Sequence, residues 1–562
     1  MSRSTVSALH RAERLKRSFG TDVAAEKLAL LLTLERARIP RATEIARLHD
    51  LLCFMRAYPD NAEILTVIER MLDGFDQRRD LIRHRKALAD TGIAGTPIYY
   101  SFYWLTARWL VERWPDATTI DWAEFHNQSK LEELWPLLLP HCETLAIESF
   151  SLSPKEWIDE LKGPKETDAA FLIKRFAQWR VDHDTREKFY EDLDIPLRLA
   201  SGTNTPSRTH SKYAVTRVAF ENPSASRVRP LASVYQRLHY KPLSHRRVSP
   251  REGQRLIDLA RVQMITRSRD LYAFMNADRN DVQLLDYGDG LQFACYGLLP
   301  EQRVMLEAMY VFLILKNGVP IGYTQASTLF RSAEVNFNIF DTFRGTETSR
   351  VFIITLSMIR ELFESDTFII NTQQLGEENP EALRSGAFWF YYKHGFRPHD
   401  REVRKVVKTE LARMKSNPGH RSSLATLTRL SCSNMFLFLG KRREDVISMI
   451  DTGGIGIACS RLLARRFGGN RERAIRECAR QAAERVGLSS LKSLSPSQRM
   501  AWDRWSPILM ALPGLSRWSE ENKRALIKVI KAKGGRCETE FVILFDRHRL
   551  LWRAIWNLST TE

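Results

Sequence analysis

The sequence predicts an α/β chain of the α+β kind, with a mixed central sheet flanked on both sides by mainly helical regions. Three observations lead there. Apolar residues recur at three- and four-residue spacing through 1–200 and again, among many Arg and Lys, through 401–562. Between 251 and 400 the hydrophobic period alternates between strand-like and helix-like stretches. Residues 201–250 carry neither pattern: Ser, Thr, Arg and His dominate, with Pro206, Pro223, Pro230, Pro242 and Pro250 spread through them. At 562 residues the chain exceeds what one hydrophobic core supports. The organisation read from it is a helical domain over 1–200, a basic Pro/Ser-rich linker over 201–250, a mixed domain over 251–400 and a basic helical domain over 401–562.

The elements follow in order. Ala24–Ala37, Ile45–Met55 and Ala62–Phe75 read as helices, with Asn61 as the cap of the third. Tyr99–Trp114 carries aromatics and Leu at helical spacing and reads as a buried core helix. Tyr213–Phe220 interrupts the linker with a short strand-like stretch. Gly253–Met275 reads as an amphipathic helix. Asp281–Asp286 and Leu291–Tyr296 form a strand pair about Gly288 and Gly290. Tyr310–Leu315 and Ile321–Leu329 are strands joined at Asn317-Gly318, where both residues tolerate positive φ. Ala333–Phe340 is the next strand, Glu347–Phe363 a long apolar helix, Thr367–Ile370 a further strand, and Leu383–His394 a helix ahead of a closing strand at Phe396. Beyond 400 the one strand expected is Phe541–Phe545. Trp502, Trp505, Trp518, Trp552 and Trp556 read as packing residues. Glu444–Ile450 reads as helix, which makes Gly453–Ala458 a turn between helices, because a dinucleotide-binding glycine motif needs a strand before it. Asp182-His183-Asp184 reads as a surface turn or helix end.

Bulk properties exclude several classes. Met1–Gly20 is polar and basic, without the apolar segment of a secretory signal. No apolar stretch approaches the roughly 20 residues of a membrane span. The seven cysteines are scattered and form no Cys-x-x-Cys pair, which points to a reducing compartment, hence a cytoplasmic location, with no disulfide framework and no metal. The net charge of +18 is uneven: residues 401–562 hold about 32 Lys/Arg against about 15 Asp/Glu. That surplus suits phosphate backbones, so RNA or DNA is a candidate partner of 401–562.

Two segments carry chemistry. The first is Phe340-Asp-Thr-Phe-Arg344-Gly345-Thr346-Glu347-Thr348-Ser349, between a strand and a long helix. A helix start leaves N–H groups unpaired and carries a positive dipole end, which suits a phosphate group. The second, about forty residues on, is Phe388-Trp-Phe-Tyr391-Tyr392-Lys393-His394-Gly395-Phe396. On the preceding strand Glu334, Asn336 and Asn338 share one face and Val335, Phe337 and Ile339 the other.

Together these segments resemble the two signatures of the GNAT superfamily of acyl-CoA-dependent N-acyltransferases, over roughly residues 255–400. The family writes the first as Arg/Gln-x-x-Gly-x-Gly/Ala, and Glu347 and Ser349 stand here where it has small residues. The resemblance implies a GNAT-like sheet in which a hairpin leads to a third strand, a tight loop, a helix, a strand and a shorter helix ending in Gly-Phe. It implies acyl-CoA, acetyl or longer, as co-substrate, its pyrophosphate held by Arg344, Gly345, Thr346, Glu347, Thr348 and Ser349. Arg384, seven residues before Tyr391, is a further contact for coenzyme A phosphates. Glu334 is then the general base for an amine acceptor of unknown class, and Tyr391 the general acid for the departing thiolate. Two alternatives stand beside this: a non-catalytic GNAT-like scaffold, to which Glu347 points, and a nucleic-acid-associated protein acting through its basic C-terminal region.

Overall fold

The computed structural model of the chain describes residues 2–202, 204–221, 238–345 and 347–560. It divides into two units: Met1–Arg227 with Arg255–Met275 and Lys316–Pro320, and Val228–Gln254 with Asn276–Leu315 and Ile321–Glu562.

The first unit is mainly helical, beginning with Ser2–Leu15, Thr21–Arg36, Ala42–Ala57 and Ala62–Asp73. Asn61 accepts from the Ile64 amide and so caps the fourth, as its side chain predicts. The unit also holds a small antiparallel sheet, β1 (Ile98–Tyr100), β2 (Thr118–Ile120) and β3 (Leu197–Leu199), in the order β1-β3-β2. The expected core helix begins only at Trp104, because Tyr99 and Tyr100 belong to β1. Its buried Trp104 packs against Phe176 and Tyr190. Asp182 caps the helix His183–Leu193, the helix end read from the sequence. Tyr213–Phe220 forms no strand, and 222–237, with Pro223 and Pro230, lie outside the described residues.

The second unit is built on a nine-stranded sheet: β4 (Ser244–Arg247), β5 (Ala277–Asp286), β6 (Leu291–Leu298), β7 (Ala308–Lys316), β8 (Val319–Leu329), β9 (Ser332–Ile339), β10 (Thr367–Ile370), β11 (Arg397–Pro398) and β12 (Met435–Phe438). Their order is β11-β12-β10-β9-β8-β7-β6-β5-β4. β8 and β9 pair antiparallel, β9 and β10 pair parallel, and β12 runs antiparallel to both β10 and β11. The long helix is Thr348–Phe363, and its buried Phe352 meets Phe337, Phe390 and Phe396.

Several expectations are corrected. Phe541–Phe545 is not a strand; it lies in the helix Glu538–Arg547, where Phe541, Val542 and Phe545 form a buried helical stripe. The strand beyond 400 is instead β12, which inserts between β10 and β11, so the sheet does not close at 400. Gly453–Ala458 is not a turn: these residues open the helix Thr452–Phe467, where Asp451 accepts from the Gly454 amide. Glu444–Ile450 holds only a single 3₁₀ turn, Ile447–Met449. The expected helix Gly253–Met275 is two, Pro250–Ile265 and Tyr272–Met275. Leu383–His394 breaks at Gly386, whose φ of 68° is open to glycine at little cost, into Pro380–Ser385 and Ala387–Lys393. Trp502, Trp505, Trp518 and Trp552 are buried, as packing residues should be.

A polar joint fastens the helix Glu538–Arg547 to the sheet. Its own cap position, Cys537, offers no oxygen, and side chains from β5 and β7 serve instead. Asp281 accepts from the Glu538 amide (3.2 Å), the Cys537 thiol (2.7 Å) and the Tyr310 hydroxyl (2.8 Å), and Tyr310 accepts from the Thr539 amide (2.9 Å). Unpaired amides of a helix start are thus satisfied across the fold. Burial raises the Asp281 pKa against these bonds, and it pushes the Cys537 thiol up to about 11. Gly297 is required here, because a Cβ would lie 2.1 Å from Asp281 Oδ2.

Candidate functional site

The site is set by a mismatch in strand length. The parallel ladder between β9 and β10 covers only Ser332–Glu334 against Thr367–Ile369. β10 ends at Ile370 while β9 runs on to Ile339. The ladder therefore ends at Glu334, leaving a notch in the hydrogen bonding between the two strands. The face of β9 that carries Glu334, Asn336 and Asn338 continues on β8 through Ser327, Gln325 and Tyr323, which stand opposite them in register. All six are half-buried, a polar floor beside an otherwise apolar sheet.

Asn371, the first residue after β10, ties the notch together. Its side-chain N–H groups donate to Glu334 Oε1 (2.8 Å) and Asn336 Oδ1 (3.3 Å). Its Oδ1 accepts from the Gln374 amide (2.9 Å), capping the short helix Thr372–Leu375. Gln374 in turn accepts from the Tyr391 hydroxyl (3.2 Å). A chain of hydrogen bonds thus runs from Glu334 through Asn371 and Gln374 to Tyr391. The two residues expected to act together do not lie side by side. The helix bearing Tyr391 packs on the other face of β9, where Phe337 meets Phe390. Tyr391 is 3% exposed, and burial raises its pKa. Tyr392, its neighbour, is half-buried, with the Arg397 guanidinium 4.0 Å from its ring centroid. A second carboxyl, Glu307 just before β7, feels the Glu334 charge. Its pKa is raised, first by burial and then by that like charge.

The loop before the helix Thr348–Phe363 is charged and tied down. Arg344 pairs with Asp341 (2.7 Å) and with Glu381, and donates to the Ile339 carbonyl (3.0 Å). Glu347 pairs with Arg350 (3.1 Å), which also holds Asp289 (2.8 Å). The Gly345 amide donates to the Thr348 hydroxyl (3.1 Å). Ser349 is half-buried in the first helical turn, Arg384 is exposed near the end of its short helix, and Thr346 lies outside the described residues. The residues fit a pyrophosphate in kind: a helix start, hydroxyls and an arginine. Phosphate at Arg344 would exchange with Asp341 or Glu381, the carboxylates that hold it here.

Among the described residues one trio has metal-ligand types in reach of one another, His183, Asp184 and Glu187, with ligand atoms within 4.8 Å. It lies on the surface of a helix in the first unit, and such acidic groups are common without an ion. Among the described residues no helix is long and apolar enough to cross a membrane.

Comparison with known proteins leaves the site to speak for itself: no family model, no curated protein and no solved structure matches the chain. Sequence reasoning missed Asn371, Gln374 and Glu307. A signal for Asn371 was present, since an asparagine directly after the apolar run Phe368–Ile370 is a cap position. Glu307 carried none, because its proximity to Glu334 arises only when β7 and β9 join one sheet.

Proposed function

We propose that the second unit is an N-acyltransferase of GNAT type, moving an acyl group from acyl-CoA to an amine. The observation that carries this reading is the notch at Glu334, where the ladder between two parallel strands ends at a half-buried carboxylate. The succession of elements also supports it: hairpin, third strand, tight loop, long helix, strand and shorter helix follow one another from β7 to Phe396.

The chemistry is direct transfer. The amine nitrogen attacks the thioester carbonyl, the C–S bond breaks, and the products are an amide and the coenzyme A thiol. Glu334 takes the proton the nitrogen sheds, with Asn371 fixing its carboxylate. Glu307, its own pKa raised by burial and by the Glu334 charge, is a second carboxyl within reach of that charge. The helix start at Thr348 and Ser349, with Arg344, holds the pyrophosphate. Tyr391 stands at the far end of the hydrogen-bond chain. Its proton is bound to Gln374 and its pKa is raised, so it anchors the loop after β10 better than it protonates a thiolate. A screen of amine acceptors with acetyl-CoA, read as free thiol released, tests the activity. Release that depends on acceptor and collapses in Glu334→Gln is the expected result; release unaffected by that substitution overturns it.

A non-catalytic reading has one observation behind it: the loop's charges are already paired, Arg344 to acids and Glu347 to Arg350. Acyl-CoA that fails to bind would favour it.

A further inference from the structure

At the β11 edge of the sheet lies a cavity of about 620 Å³ that the acyl-transfer reading does not use. Its base is apolar. Phe436 and Phe438 of β12 lie on one face, their rings 5.8 Å apart and only 8° from parallel. The helix Arg401–Ser416 forms one wall through Arg404, Val407, Lys408 and Leu411, one stripe at helical spacing. Its rim is basic: Arg397, Arg404, Lys408 and Arg442 are all exposed. Among the described residues none of these four pairs with a carboxylate. Arg397 is held in place by bonds to the carbonyls of Tyr392 and Phe396, both 2.8 Å, while its face lies on the Tyr392 ring.

We propose that this cavity binds a nucleoside di- or triphosphate. The base supplies two aromatic rings, Phe436 and Phe438, against which a nucleobase packs. Four cations around one mouth repel one another, and a polyphosphate relieves that repulsion where a single carboxylate would leave most of it. The volume lies within the range of about 300–1,000 Å³ typical of small-molecule sites. The four cations come from three chain segments, so the arrangement is a product of the fold and not of one basic run.

The test is calorimetric titration of the full chain with ADP, ATP, inorganic phosphate and a short oligoribonucleotide. Two variants of the cavity go beside the wild type, with Arg344→Ala as a control at the loop before Thr348. Arg404→Glu/Lys408→Glu reverses two exposed rim charges on a helix surface, and Phe438→Ala removes part of the stacking base; melting curves confirm that both fold. ADP and ATP should bind the wild type, about tenfold or more weaker in either variant and weaker at higher salt, with phosphate alone a poor competitor. No nucleotide binding by the wild type overturns the proposal. So does binding that both variants leave unchanged, or binding lost instead in Arg344→Ala, which would place the nucleotide at the loop before Thr348. Oligonucleotide binding that responds to the variants while ADP and ATP do not bind would assign the rim to nucleic acid instead.

Discussion

Two polar regions of the second unit hold their carboxylates in opposite ways. At the joint around Asp281 the acid is closed off, fully hydrogen-bonded to a helix start, a phenol and a thiol, and surrounded by groups whose pKa values are raised by burial, Cys295 and Tyr310 among them. At the notch Glu334 is half-buried, bonded among the described residues only through the Asn371 amide, and stands where a strand ladder ends. Burial thus perturbs ionisation at the closed joint, as it does at Tyr391, and a shifted pKa alone does not mark the site. Access and an unfinished ladder, more than a shifted pKa, distinguish a site from a fastening.

Substitutions should separate the two. Glu334→Gln should lower acyl transfer by roughly 10²–10⁴-fold, the usual scale of a general base, with little change in melting temperature. Activity within threefold of wild type would remove Glu334 from the chemistry. Asp281→Ala should do the reverse. It leaves the Glu538 amide and the Tyr310 hydroxyl without their acceptor, at about 3 kcal/mol or more, read as a lower urea midpoint, while the folded fraction keeps its activity. An unchanged midpoint would show that the joint holds nothing.

Asp546 sharpens the same contrast through pH. It accepts from the Arg331 amide (3.0 Å), its other oxygen is buried with no partner among the described residues, and burial pushes its pKa from 3.8 up to about 7. Between those values the folded chain holds more protons than the unfolded one. Stability is therefore lost as pH rises through that window. Asp546→Asn should flatten the loss and raise stability at pH 8 by about 2 kcal/mol. Parallel pH curves for the two proteins would contradict this. The smallest effect belongs to Tyr391→Phe. It removes one hydrogen bond to Gln374, and acyl transfer should fall by less than about tenfold, with the alkaline limb of the pH profile unmoved. A loss comparable to that of Glu334→Gln would return Tyr391 to the role of acid.

The strands of the sheet were largely legible, because alternation along β9 put Glu334, Asn336 and Asn338 on one face and Asn317-Gly318 marked its hairpin. What failed had physical causes. Phe541–Phe545 is a short apolar run, and such a run has no period of its own; the helix was decided by caps borrowed from Asp281 and Tyr310. Met435–Phe438 is equally short, and its place between β10 and β11 is a long-range pairing that no local pattern records. The basic cavity was invisible because Arg397, Lys408 and Arg442 meet only once β11 and β12 are joined.

On the acyl-transfer reading, acyl-CoA binds with its pyrophosphate at the start of the helix Thr348–Phe363. Ser349→Asp tests it most directly by calorimetry with acetyl-CoA, since an acid in a first turn suits the helix and repels the phosphates. The expected result is micromolar binding by the wild type, at least about tenfold weaker in Ser349→Asp and unchanged in Arg404→Glu/Lys408→Glu. No binding by the wild type, or binding lost in the second variant and kept in the first, would contradict it.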